Sequence, residues 1–162
     1  MPRNDPMAAP AKTWDKFGDK RIKLLHPKIR ADAAILINAI EEKLGMRMRV
    51  TQGLRTIAEQ NALFEKGRSK PGKIVTNDRG GESYHNFGLA IDLCEIRNGE
   101  AIWECDWAKI APVAKKLGWE WGGNWTSFKD RPHFQKVFGK STAQLRRLHA
   151  ALADPKGYVE LG

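Results

Sequence analysis

Two short runs hold the side chains with the most chemistry in them. Ser83-Tyr84-His85-Asn86-Phe87-Gly88-Leu89-Ala90-Ile91-Asp92 brings one imidazole and one carboxylate together. Asp130-Arg131-Pro132-His133-Phe134-Gln135 brings a second imidazole, with a spare carboxylate three residues before it. Two nitrogens and an oxygen are a sufficient protein set for a catalytic zinc, which keeps its fourth position open for water. A carboxylate beside that position can take the water's proton during attack on a carbonyl. His85, Asp92 and His133 are therefore candidate ligands of one Zn2+ ion, and Asp130 is the candidate base. Taken alone, a histidine seven residues from an aspartate is weak evidence, since satisfied core histidines and surface pairs produce it by chance. Three features add weight. Gly88 lets the backbone turn so that His85 and Asp92 converge, Asp130-x-x-His133 supplies both a third ligand and a base, and Pro132 stiffens the approach to His133.

These groups need elements to hold them. Leu89, Ile91 and Leu93 alternate with Ala90, Asp92 and Cys94, which argues for a strand with its first set in the core. Asn98-Gly99 then turns the chain into a return strand over 101–104. That hairpin puts Cys94 opposite Trp103 and Cys105 opposite Asp92, diagonal neighbours poorly placed for a disulfide, so two reduced thiols are expected. His133 and Gln135 share one face of a further short strand, with Phe134 on the other. Arg47 to Gln52 alternates as a half-buried strand does, and Arg55 stands where it hands over to a helix. Composition alone favours a surface arginine there. The capping box Thr56 to Glu59 opens that helix, with Leu63 and Phe64 expected inward and Gly67 closing it. An earlier helix of about four turns carries Ile29, Ala33, Leu36, Ile37, Ile40 and Leu44 to a stop at Gly45. It follows an extended stretch ending at His26-Pro27, with His26 as a capping or surface histidine. Asp106 is expected to cap a helix to about Leu117, kinked or late-starting because of Pro112. Ser141 opens a last helix with Leu145, Leu148 and Leu152 inward and His149 structural. The irregular stretch 68–81 reads as a rim over a cleft. Five of six tryptophans fall between 103 and 125, mostly as packing, with one or two left to line a groove.

The 162 residues, 41% apolar and 29% charged, fit one globular domain. Residues 1–12 read as a flexible leader and 13–162 as a single catalytic domain. No apolar run is long enough to span a bilayer, which excludes stable membrane insertion, and the amino terminus lacks the profile of a secretory signal. A formal charge of +9 favours polyanions: nucleic acid, an anionic membrane, or a bacterial wall. The basic residues are spread along the chain without a nucleic-acid-binding signature, so no specific nucleic acid is expected.

The pattern Ser83-x-His85-x-x-Gly88-x-Ala90-x-Asp92, followed downstream by Asp130-x-x-His133, resembles peptidase family M15, the zinc D,D-peptidases and L-alanyl-D-glutamate endopeptidases. The wording from Gly80 to Asp92, Trp121 to Trp125 and Asp130 to Gln135 is similar to the bacteriophage endolysin branch. The likeness runs from about Leu25 through the last helix. It implies an α+β fold of Hedgehog/DD-peptidase-like type: a small antiparallel sheet holding the metal on one face, with helices on the other. It also implies one Zn2+ on His85, Asp92 and His133, with Asp130 as base and Arg55 steadying the oxyanion. Ser83 and Gln135 are implied as substrate-binding. The substrate implied is bacterial peptidoglycan, cut between L-Ala and D-Glu by a monomer. The enzyme would accumulate in the host cytoplasm without a signal peptide and reach the wall after membrane permeabilisation. Alternatives are a D-Ala-D-Ala carboxypeptidase or dipeptidase on the same scaffold, and a non-catalytic zinc-containing wall binder. Two departures stand out. Leu54 and Thr56 flank Arg55 where many relatives have Tyr and Ser, and Asp130 stands where many carboxypeptidase relatives have Glu, which favours the endopeptidase branch.

Overall fold

In a computed structural model describing residues 12–162, the chain forms five helices and one five-stranded antiparallel sheet. The expected leader, except Lys12, lies outside the described residues. In order, the elements are α1 (Lys16–Ile22), α2 (Pro27–Leu44), β1 (Met48–Gln52), α3 (Ile57–Glu65), β2 (Ala90–Arg97), β3 (Glu100–Ile102), α4 (Trp107–Lys116), β4 (Glu120–Trp121), β5 (His133–Gln135) and α5 (Thr142–Ala150). The sheet order is β1-β2-β5-β4, with β3 also paired to β2.

Register decides which side chains share a face. Asp92 pairs with His133, Ala90 with Gln135, and Gln135 with Glu120, so these five lie on one side of the sheet. Ile91 pairs with Phe134, and Phe134 with Trp121. Leu89, Ile91, Leu93 and Phe134 are fully buried and join Ile29, Leu36, Ile37 and Ile40 of α2 in one core. The β2–β3 hairpin turns at Asn98-Gly99 as expected, both residues having positive φ (52° and 78°). Cys94 and Cys105 are both free thiols.

Local chemistry explains most boundaries. Gly45 ends α2 in the left-handed region at φ 67°, and capping boxes at Thr56 and Ser141 start α3 and α5. Several expectations give way. The stretch before His26 is helix α1, which has little apolar periodicity of its own. It is held instead by Asp15, whose carboxylate accepts from the Phe17 and Gly18 amides and pairs with Arg49 at 2.8 and 2.9 Å. Leu63 and Phe64 are only half-buried, and Gln60 is the buried residue of α3, which ends at Glu65 instead of Gly67. Helix α4 runs through exposed Pro112, and Asp106 makes no side-chain cap there.

Candidate active site

Each predicted site residue reaches one cleft through a separate backbone device. The turn of 3-10 helix Tyr84–Phe87 carries His85, with the Ser83 hydroxyl accepting from the His85 amide at 3.2 Å. Gly88 ends that turn at φ 70°, where a Cβ would stand 2.5 Å from the His26 amide nitrogen. Only glycine lets the chain pass that close to α2 and enter β2 two residues before Asp92. His133 opens β5 directly across from Asp92. Asp130 is fixed by its own amide, which donates to the Gly122 carbonyl at 3.0 Å.

The cleft encloses about 680 Å³, and Arg55, Ser83, His85, Asp92, Asp130, His133 and Gln135 all line it. Asp92 Oδ1 lies 3.2 Å from His85 Nε2 and 3.4 Å from His133 Nδ1. His133 Nδ1 is 4.0 Å from Asp130 Oδ2. One ligand atom from each of His85, Asp92 and His133 falls within 4.8 Å of the others, a group able to hold a metal ion. Bonds of roughly 2.1 Å in a tetrahedron put neighbouring ligand atoms roughly 3.4 Å apart, so the separations of Asp92 Oδ1 from the two ring nitrogens fit a tetrahedral ion such as zinc.

The far side of each ring is engaged as a ligand's should be. His85 Nδ1 lies 2.7 Å from the Gly53 carbonyl and His133 Nε2 lies 2.7 Å from Gln135 Oε1. With hydrogens on those nitrogens, Nε2 of His85 and Nδ1 of His133 present lone pairs to the same point. Gln135 in turn donates to Glu120 Oε2 at 3.2 Å. Before an ion binds, protonated rings put hydrogens on His85 Nε2 and His133 Nδ1 toward Asp92. Burial would raise that carboxyl, but the His85 charge and hydrogen bonds from both rings then outweigh it and hold it well below the ordinary carboxylate range. Asp130 goes the other way, raised first by burial and then by the nearby Asp92 charge. Two carboxylates in one cleft are thus pushed apart in acidity.

Arg55 spans from the β1 end to α3. Its Nη1 donates to Gln60 Oε1 at 2.9 Å and its Nη2 to Gln52 Oε1 at 3.0 Å. A register shift between Val50 and Gln52 accompanies Gln52's placement at the end of β1. Of the tryptophans, Trp125 lines the cleft, its ring 5.0 Å from that of His133. Of the stretch 68–81, Val75, Thr76, Asn77 and Asp78 line the cleft as a rim, and the rest does not reach it. Gln52, Gln60, Asn86 and Asp78 had no sequence signal beyond their position near Arg55, His85 or the rim.

The sheet and the 3-10 turn beside it thus bring His85, Asp92 and His133 to one cleft with a carboxylate next to them, a site that comparison assigns to a peptidase. A family model described as D-alanyl-D-alanine carboxypeptidase matches residues 76–136. The peptidoglycan L-alanyl-D-glutamate endopeptidase CwlK of Bacillus subtilis (strain 168) is 43% identical over 124 residues, covering 70% of this chain and 74% of that protein. The L-alanyl-D-glutamate peptidase of Listeria phage A118 is 31% identical over 112 residues, 62% of this chain and 35% of that protein. The crystal structure of the L-Ala D-Glu endopeptidase ChiX of Serratia marcescens superposes with a TM-score of 0.57 at 27% identity, covering 83% of this chain and 95% of that one. The chain belongs to peptidase family M15.

Proposed function

We propose that the protein is a zinc-dependent endopeptidase that cuts peptidoglycan stem peptides between L-Ala and D-Glu. The observation that carries the reading is the convergence of His85, Asp92 and His133 within 4.8 Å, with Asp130 4.0 Å from His133 Nδ1. The bond specificity draws on the likeness to CwlK and ChiX, both named as enzymes of that bond. A zinc ion held by those three side chains supplies a Lewis acid and acidifies water at the site towards a pKa of roughly 7.

The chain's own residues do the remaining work. Asp130, beside the ligand cluster but not part of it, accepts the proton of the attacking water and passes it to the leaving amine. Arg55 faces the negative charge that develops on the scissile carbonyl oxygen. Gln135 and the Gly53 carbonyl orient the histidines. The Gln135 amide is taken up by His133 and Glu120, so we assign it to orientation ahead of substrate contact. The Ser83 oxygen caps the turn beneath His85 while lining the cleft, a position open to substrate. The likeness to the Listeria phage enzyme supports a lytic role at the wall of a host cell.

A second reading, a D-Ala-D-Ala carboxypeptidase, is favoured by the description of the matching family model. Digestion of purified wall followed by mass spectrometry separates the two. New D-Glu amino termini, lost on adding a chelator and regained with zinc, are the expected result. Free D-Ala without new D-Glu ends would replace the first reading with the second.

A further inference from the structure

Gln60 is the buried residue of α3, fully enclosed, and it reaches the cleft only through the residues it bonds. A primary amide offers two donor hydrogens and an oxygen with two lone pairs. All four are used. Its oxygen accepts from Arg55 Nη1 at 2.9 Å and from Asn86 Nδ2 at 3.3 Å. Its nitrogen donates to the Asp78 carbonyl at 2.9 Å and to Thr76 Oγ1 at 3.3 Å. Asn86, the residue after His85, also donates to the Arg55 carbonyl at 3.0 Å, and the Arg55 amide donates to the His85 carbonyl at 3.0 Å. One buried amide thus ties together the arginine, the turn that carries His85, and the rim segment of Thr76 and Asp78.

The chemistry of the clamp is specific. Among the described residues, both guanidinium contacts that fix Arg55 are neutral amide oxygens, from Gln60 and Gln52. No carboxylate among the described residues pairs with Arg55, although carboxylates of Asp78, Glu82, Asp92 and Asp130 line the same cleft. A carboxylate partner would fix the guanidinium equally well but would cancel most of its field. Neutral acceptors orient the cation and leave its charge for a substrate oxygen. We infer that Gln60 is a positioning residue: it aims Arg55 without neutralising it and locks the 76–78 rim to the same point. This rests on the reading of Arg55 as the group that meets the developing carbonyl charge.

The test is a set of double-mutant cycles on the full chain, reading kcat and KM on soluble wall peptides, zinc content and melting temperature. Gln60→Glu keeps the side-chain volume and an acceptor for Arg55, makes that acceptor anionic, and gives up the two donor hydrogens that hold Thr76 and Asp78. It should lower kcat about tenfold or more while zinc content stays at one ion per chain, because the ligand cluster is untouched. Gln52→Glu makes the same change at Nη2 from a half-buried position and should lower kcat in the same sense, which keeps the test alive if Gln60 variants fold poorly. In an Arg55→Ala background, the Gln52→Glu change should fall below about twofold, since there is no guanidinium left to neutralise, and the Gln60→Glu loss should shrink to the part that comes from releasing the Thr76 and Asp78 contacts. Undiminished losses in that background, or wild-type kcat for both glutamate variants, would overturn the positioning role while leaving Arg55's role intact. Wild-type kcat for Arg55→Ala alone would instead overturn the reading of Arg55 beneath it.

Discussion

Asp130 and His133 are three residues apart and lie against the same cleft, yet they should answer to mutation differently. Asp130 Oδ2 is 4.0 Å from His133 Nδ1 and outside the group of three that converge on one point. Asp130→Ala should therefore keep its metal and lose roughly 10²- to 10⁴-fold in turnover, the usual worth of a positioned base. His133→Ala should lose metal and activity together. Metal analysis beside kcat on each purified variant checks this, and a metal-free Asp130→Ala would transfer that residue to the ligand set. Gln135 gives a third pattern. Its oxygen fixes the His133 ring through Nε2, so Gln135→Ala should weaken metal binding roughly 10- to 100-fold. Chelator competition would register the change, and kcat at saturating zinc should recover most of the wild-type value.

Elements hold these residues through a few contacts with measurable consequences. His26 caps α2: its Nδ1 accepts from the Lys28 amide at 3.1 Å while its Nε2 sits 2.7 Å from the Val159 carbonyl. Only the neutral ring with its hydrogen on Nε2 satisfies both, because a proton on Nδ1 would face a donor. Burial first, and then the charges of Lys28 and Arg30, hold the His26 pKa below the usual imidazole range, despite the Val159 contact. The unfolded chain takes up its proton near pH 6.5, above the folded value. Between the two, the unfolded state binds more protons, so stability rises with pH. The contribution is complete above about pH 6.5 and is lost as pH falls below it. Denaturant unfolding at pH 7.5 and 5.0 should show a larger difference for the wild type than for His26→Asn, which keeps a cap without titrating. A cap is worth about 1 kcal/mol, and equal pH differences would refute the assignment. Gly122 plays the corresponding part for the base, since a Cβ there would collide with the Asp130 carbonyl oxygen and stand 3.1 Å from His133 Cβ. Gly122→Ala should cost roughly 1–3 kcal/mol of stability and lower kcat, read by thermal melts and steady-state rates. The sequence showed this level unevenly. Periodicity and caps revealed α2, α5 and the β2–β3 hairpin, because their signals are local. Helix α1 and strand β4 were not legible, since Asp15 finds Arg49 across the chain and Glu120–Trp121 is a strand only by pairing with β5. The candidate ligands and the proposed base were visible as residue types at a spacing. The Gln52–Gln60 clamp was not, because an amide carries no signal until the fold shows what it touches.

At the scale of the whole molecule, charge is distributed against the site. The chain carries +9, yet Asp78, Glu82, Asp92 and Asp130 meet only one guanidinium, Arg55, along the cleft. The positive excess therefore lies on the surface outside it. Among the described residues no helix is long and apolar enough to cross a membrane. On the proposed reading of a wall substrate, that surface charge supplies attraction to the polyanionic wall. Exposed charges lose their reach as salt rises, with a screening length of about 10 Å at 0.1 M and about 3 Å at 1 M. The cleft chemistry works over contacts of 4.0 Å or less between half-buried and buried groups, and such pairs are screened far less. Salt should consequently separate two quantities that a lysis assay merges. Co-sedimentation with purified wall should fall steeply between about 50 mM and 500 mM sodium chloride, in proportion to the charge engaged. Turnover of a soluble stem peptide should change by less than about twofold over the same range, because that substrate needs no surface attraction. Wall clearing would then track the sedimentation curve and not the peptide kinetics. Salt-resistant sedimentation would place wall affinity in the cleft itself, with the apolar rim residues Val75 and Phe128 as the groups to substitute next.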